Sequence, residues 1–150
     1  MVQNLKNVIL IVILLSAFCS KAQNWDKKIQ NLPVIDGVYQ DGVKSDWLIQ
    51  KPSETAKVFR NEDSNELILS NGIISRSFRL SPNAATISLK VLSKQEEHVR
   101  AVKPEAIISV NGFTVNVGGL TGQPNLAFLY PDWLDALKAD PLSFQFKGLK

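Results

Sequence analysis

From position 57 to 117, apolar and polar residues alternate in short runs separated by turn-forming residues. Lys57-Val58-Phe59-Arg60 is one run, Glu66-Leu67-Ile68-Leu69 a second, and residues 73–80 a third. In the third, Ile74, Arg76, Phe78 and Leu80 share one parity, and Ile73, Ser75, Ser77 and Arg79 share the other. That pattern predicts a strand with one face buried and one largely wet. Residues 85–92 alternate again, with Ile87, Leu89 and Val91 on one side, and residues 98–102 read as the return strand. Asn71-Gly72 and Asn111-Gly112 each sit between apolar runs. Asn-Gly is the strongest short hairpin signal, because both residues tolerate the positive φ of a type I′ turn. Strands at this spacing predict an all-β fold, an antiparallel β-sandwich spanning residues 57–150.

The flanks break the rhythm. Residues 23–56 contain the turn dipeptides Asp36-Gly37 and Asp41-Gly42 and are interrupted by Pro33 and Pro52. They predict an irregular segment with one or two short strands, such as Trp47-Leu48-Ile49. Residues 118–125 are too rich in glycine for a strand or helix and predict a loop. Residues 131–140 hold the one helical candidate, near the C-terminus: Trp133, Leu134 and Leu137 fall on one helical face, Asp132 suits the N-terminal dipole, and Pro141 ends it. Residues 143–149 alternate like a further strand, and the chain stops at Lys150 within it. A terminal strand of a small domain and the front end of a longer protein are both open readings.

At the N-terminus, Lys6 precedes an unbroken apolar run, residues 8–15, and Ser20-Lys21-Ala22 places small residues three and one positions before Gln23. This is the pattern of a signal peptide, residues 1–22, cleaved after Ala22. It implies a secreted or periplasmic protein without a membrane anchor after cleavage. Lipid attachment at Cys19 is disfavoured, because the bulky Phe18 precedes it. Cys19 is the chain's single cysteine, so the mature chain would carry no thiol and no disulfide. Removing Lys6 and Lys21 leaves 15 basic residues against 14 acidic ones. With no basic stripe, nucleic acid is an unsupported partner.

Candidate chemistry is sparse. His98 is the only histidine and has no cysteine to share a metal with, so neither a metal site nor a cofactor is expected. Asp132 and Asp135 lie three apart, and Glu96-Glu97 is adjacent, but solvated surfaces and a charged turn explain both pairs. No catalytic residue is assigned. Trp25, Trp47, Tyr130 and Trp133 are candidates for stacking on sugar rings. Gly118, Gly119, Gly122, Gln123 and Asn125 form a loop that would let the backbone approach a ligand or a neighbouring domain.

Three strings carry a resemblance. They are Leu69-Ser70-Asn71-Gly72-Ile73-Ile74-Ser75-Arg76-Ser77-Phe78-Arg79-Leu80, Arg100-Ala101-Val102-Lys103-Pro104-Glu105-Ala106, and Val117-Gly118-Gly119-Leu120-Thr121-Gly122-Gln123-Pro124. Together they are similar to the N-terminal region of secreted α-galactosidase-like glycoside hydrolases of polysaccharide-degrading bacteria, over residues 66–150. The resemblance implies a supersandwich-like domain preceding a catalytic (β/α)8 barrel, with a retaining mechanism, no cofactor, and both catalytic carboxylates in the barrel. None of that barrel is present in this sequence. Carbohydrate is then the expected partner, directly or through the barrel. Two other readings remain: a stand-alone carbohydrate-binding module, and a structural or partner-binding periplasmic protein.

Overall fold

The computed structural model describes residues 25–63 and 65–148. The expected signal peptide, its expected cleavage point and Cys19 lie outside them. Among the described residues the chain is mostly β, built from antiparallel sheets with a few short helices, the all-β sandwich-like class that the alternation predicts. Strands β1 (Lys57–Arg60), β2 (Glu66–Ser70), β3 (Ile74–Arg79), β4 (Ala85–Val91) and β5 (Glu96–Glu97) form one sheet in sequential order. Strands β6 (Ala106–Val110) and β7 (Phe113–Val117) form a separate hairpin, and β8 (Leu120–Thr121) pairs with β9 (Lys138–Ala139).

Both Asn-Gly hairpins are present, by different means. Asn111 and Gly112 take φ of 51° and 82°, as a type I′ turn requires. At the first hairpin only Gly72 takes a positive φ, 78°. There Asn71 Oδ1 accepts the amides of Ile73 and Ile74, both at 3.0 Å, so its side chain builds the turn.

Five local expectations are corrected. The N-terminal segment carries two α-helices, α1 (Trp25–Gln30) and α2 (Gly37–Asp41). The second ends at Gly42, whose φ of 91° and N–H bond to the Val38 carbonyl close the helix. Trp47-Leu48-Ile49 is a turn rather than a strand, because Asp46 gathers the amides of Leu48, Ile49 and Gln50. The expected return strand at residues 98–102 stops at Glu97, whose carboxylate accepts the Leu89 amide at 2.8 Å and takes a donor that a longer ladder would use. The C-terminal helical candidate is a 3-10 helix, Pro131–Ala136, followed by β9. Leu137 is extended (ψ 147°) and buried, which draws the chain out of the helix and into the core. Residues 143–148 make a single parallel bridge, Phe144 to Val117, instead of a strand.

The main core joins Ala85, Ile87, Val102, Leu120 and Leu137, with Leu129 and Leu134 packed against it. It therefore ties β4 to the 3-10 helix and to the β8–β9 pair. Burial of such side chains contributes roughly 1.5–3 kcal/mol each.

Candidate functional site

The strand register sorts the five-stranded sheet into two faces. Cross-strand partners point the same way, so Phe59, Ile68, Ser77 and Ser88 share one face, and Ser70, Ser75, Lys90 and Glu97 continue it. Val58, Leu69, Arg76 and Leu89 share the other, with Ile74 and Val91, and with Leu67, Phe78 and Thr86. A bulge between Ser77 and Phe78 leaves Ile87 unpaired and turns it into the core cluster.

The buried face is the serine-bearing one. Ser75 and Ser77 are only 7% and 9% exposed, whereas Val58, Leu69 and Ile74 are 39%, 40% and 46% exposed. Along β3 the buried parity is that of the serines, and Leu80, just past the strand on the other parity, is also buried. Two segments cover the serine face. From the N-terminal side, the Tyr39 ring lies 4.8 Å from that of Phe59, and Ser70 Oγ donates to the Tyr39 carbonyl at 2.7 Å. From the C-terminal side, the 3-10 helix is clamped by Arg79 to Asp135 at 2.6 Å.

The outer face carries three charged residues, Arg60, Arg76 and Glu96, and the one on the middle strand, Arg76, is neutralised in place. Arg76 donates to Thr86 Oγ1 (2.9 and 2.6 Å) and pairs with Glu105, while its guanidinium lies 4.6 Å from the Phe78 ring centroid. Glu105 also accepts the Thr86 amide, so it roots the β6–β7 hairpin on this side of the sheet. The hairpin has its own apolar face. Val110 pairs with Phe113, Ile108 with Val115 and Ala106 with Val117, and Phe113 is 77% exposed. The base of this hairpin is held by the Phe144 bridge to Val117, while Val110 and Phe113 stay exposed at its tip.

Between the inner face and the 3-10 helix lies a cavity of about 380 Å³. Glu66, Ser77, Ser88, Lys90 and Glu97 line one side, and Ile87, Leu129, Pro131 and Leu134 the other. Burial, reinforced by the Asp63 charge, raises the Glu66 pKa, and Arg79 and Lys90 only partly oppose it. Burial alone would also raise Glu97. The hydrogen bonds it accepts from Ser88, Leu89 and Val99, with the Lys90 charge, outweigh this and hold it below the usual carboxylate value. Glu97, expected in a charged turn, is therefore an exposed residue of β5 whose carboxylate accepts three hydrogen bonds from this chain.

The aromatic candidates separate. Tyr130 and Trp133 come together with Phe128, which the sequence did not single out: centroids are 5.0 Å apart for Tyr130–Trp133, 4.9 Å for Phe128–Tyr130 and 5.6 Å for Phe128–Trp133. Trp47 is exposed in its turn, and Trp25 opens α1. Trp47 does not appear among the ring contacts of this cluster.

The glycine-rich loop makes its contacts within this chain. Gly118 and Gly119 donate to the carbonyls of Phe144 (3.1 Å) and Ala84 (2.8 Å). A Cβ on Gly119 would meet the Pro104 backbone at 2.8 Å, so only glycine fits there. Gln123 donates to the carbonyls of Arg100, Asn125 and Phe128 and accepts the Val102 amide. Asn125 Oδ1 accepts the Ala127 amide, and Gly122, with open space around it, supplies a φ of 97°. His98, Asp132 and Asp135 are exposed. Among the described residues no three His, Cys, Asp or Glu side chains converge as metal ligands, and no helix is long and apolar enough to cross a membrane.

No protein-family model, curated protein or solved structure matches this chain.

Proposed function

We propose that this chain is a non-catalytic β-domain that works by packing its apolar outer face on a partner domain, and that the partner is the catalytic barrel of a secreted α-galactosidase-like glycoside hydrolase. The observation that carries the first part is the inverted sheet. Its serine face is covered by the chain's own segments, while Val58, Leu69 and Ile74 stay half-exposed on the other side. The chemistry of that face favours a protein surface over a polysaccharide. Arg76 is already neutralised by Glu105, Arg60 at one edge donates to the carbonyls of Leu32, Asn61 and Glu62, and Glu96 stands at the opposite edge, so the centre of the face is apolar apart from Thr86 and few groups are left there to hold sugar hydroxyls. The choice of barrel rests on the sequence resemblance over residues 66–150.

The test mixes the protein with a separately produced α-galactosidase-like barrel and reads mass by light scattering. A one-to-one complex, lost in Leu69→Lys and Ile74→Lys, is the expected result. A protein that stays monomeric beside the barrel, or that only self-associates, would overturn the reading.

A second reading has its own observation. The Phe128–Tyr130–Trp133 cluster presents exposed aromatic surface in the style of a carbohydrate platform, which supports a sugar-binding module. Galactoside titrations that quench tryptophan fluorescence in the wild type, but not in Trp133→Ala, would favour it.

A further inference from the structure

We propose that the cavity between the inner sheet face and the 3-10 helix is a binding site for a neutral polyhydroxylated small molecule of monosaccharide size. Its volume of about 380 Å³ lies within the range of small-molecule pockets. The two walls differ in chemistry. Ile87, Leu129, Pro131 and Leu134 offer an apolar surface suited to the C–H face of a sugar ring or cyclitol. The facing wall is polar, and its hydrogen-bonding capacity is unevenly spent.

Glu97 is fully engaged by Ser88 and by the Leu89 and Val99 amides. Three other groups are not. Ser77 is more than nine-tenths buried, yet its hydroxyl has no hydrogen-bond partner among the described residues. The same holds for the Glu66 carboxylate and the Lys90 ammonium, which influence each other electrostatically without a hydrogen bond or close ion pair. Glu66 can only accept when ionised, Lys90 can only donate, and Ser77 can do both. A hydroxyl both donates and accepts, so one molecule with several hydroxyls satisfies all three. An anion would meet Glu66 and Glu97 across a single lysine, and a cation would meet Lys90. The free donor and acceptor charges balance, which selects a neutral ligand. The sequence hid this site, because strand serines and charges read as a wet face.

The site is separate from the outer face and from the Phe128–Tyr130–Trp133 cluster, so its failure leaves the docking proposal standing and the reverse also holds. The test is an amide NMR titration of the protein with D-galactose, D-glucose and myo-inositol. At least one of the three should give saturable shifts at Ser77, Ser88, Leu129 and Leu134. Ser77→Ala, which removes the hydroxyl without adding bulk, should weaken that Kd about tenfold, as expected when one well-placed hydrogen bond is lost. Lys90→Met and Glu66→Gln should weaken it similarly and carry the test if Ser77→Ala does not fold. No saturation by any of the three, shifts confined to Tyr130 and Trp133, or a Kd unchanged in the folded variants would overturn the proposal.

Discussion

The two faces of the five-stranded sheet come from the same strands and follow opposite rules. The inner face carries Ser70, Ser75, Ser77, Ser88, Lys90 and Glu66 and is covered. The outer face carries Val58, Leu69, Ile74, Leu89 and Val91 and is open at its centre. The difference teaches that alternation fixes which residues share a face but not which face turns inward. That choice is made by whatever else the chain can lay against the sheet. Here the Tyr39 carbonyl, the Glu97 carboxylate and Asp135 satisfy Ser70, Ser88 and Arg79 of the polar face, which lowers the cost of covering it and leaves Ser77, Glu66 and Lys90 over for the cavity. Among the described residues the apolar face has no such complement at its centre, which is the basis for proposing that a partner covers it.

Adjacent residues sharpen the contrast most. Phe59 is buried on the inner face and Val58 lies beside it on the outer one. Phe59→Ala should cost about 3–5 kcal/mol in urea unfolding, and Val58→Ala under about 1 kcal/mol. Equal losses would erase the distinction between the faces. A smaller effect is expected at Ser77. Removing a buried hydroxyl that lacks a partner removes a desolvation cost, so Ser77→Ala should leave the urea midpoint unchanged or raise it. A clear loss of stability would mean that the hydroxyl is satisfied in solution by the fold itself.

The smallest effect is electrostatic and opposite in sign at the two glutamates of the cavity. Glu66 has a raised folded pKa, so the folded state holds its proton more tightly than the unfolded state. Its contribution favours folding below the ordinary value of 4.5 and is lost as pH rises through the raised value. Glu66→Gln should therefore gain stability over the wild type as pH rises through that window, then keep a constant margin at neutral pH. Glu97 has a lowered folded pKa, so its hydrogen bonds stabilise the fold above 4.5 and that stabilisation fades as pH falls through the lowered value. Urea midpoints for Glu66→Gln, Glu97→Gln and wild type across acid to neutral pH check both signs.

Much of the sheet was legible in the sequence. The runs of β1 to β4, β6 and β7 follow the alternation, and Asn111-Gly112 marks its turn by the φ values that only such residues adopt readily. What was not legible depends on contacts between residues far apart in the chain. The Ser77–Phe78 bulge moves Ile87 away from Leu89 and Val91, although all three share a parity. The covering of Ser70 by Tyr39 joins positions 31 residues apart. Trp133, Leu134 and Leu137 have helical spacing, but Leu137 is held by the core in an extended conformation. Of the aromatic candidates, Tyr130 and Trp133 meet because the chain turns between them, while Phe128 joined them unannounced. The cavity residues Glu66, Ser77, Ser88 and Lys90 gave no local signal, since a polar residue in a strand looks the same whether solvent or another segment lies above it.

The most direct measurement compares Ile68→Lys with Leu69→Lys, two neighbours on one strand that face opposite ways. Ile68 is 7% exposed, so a lysine there buries an unpaired charge and should cost several kcal/mol or abolish cooperative unfolding. Leu69→Lys should stay within about 0.5 kcal/mol of the wild type in urea unfolding, because its face is not part of this chain's own core. If Leu69→Lys costs as much as Ile68→Lys, the outer face is an interior surface of this domain, and the claim that it is held ready for a partner is contradicted.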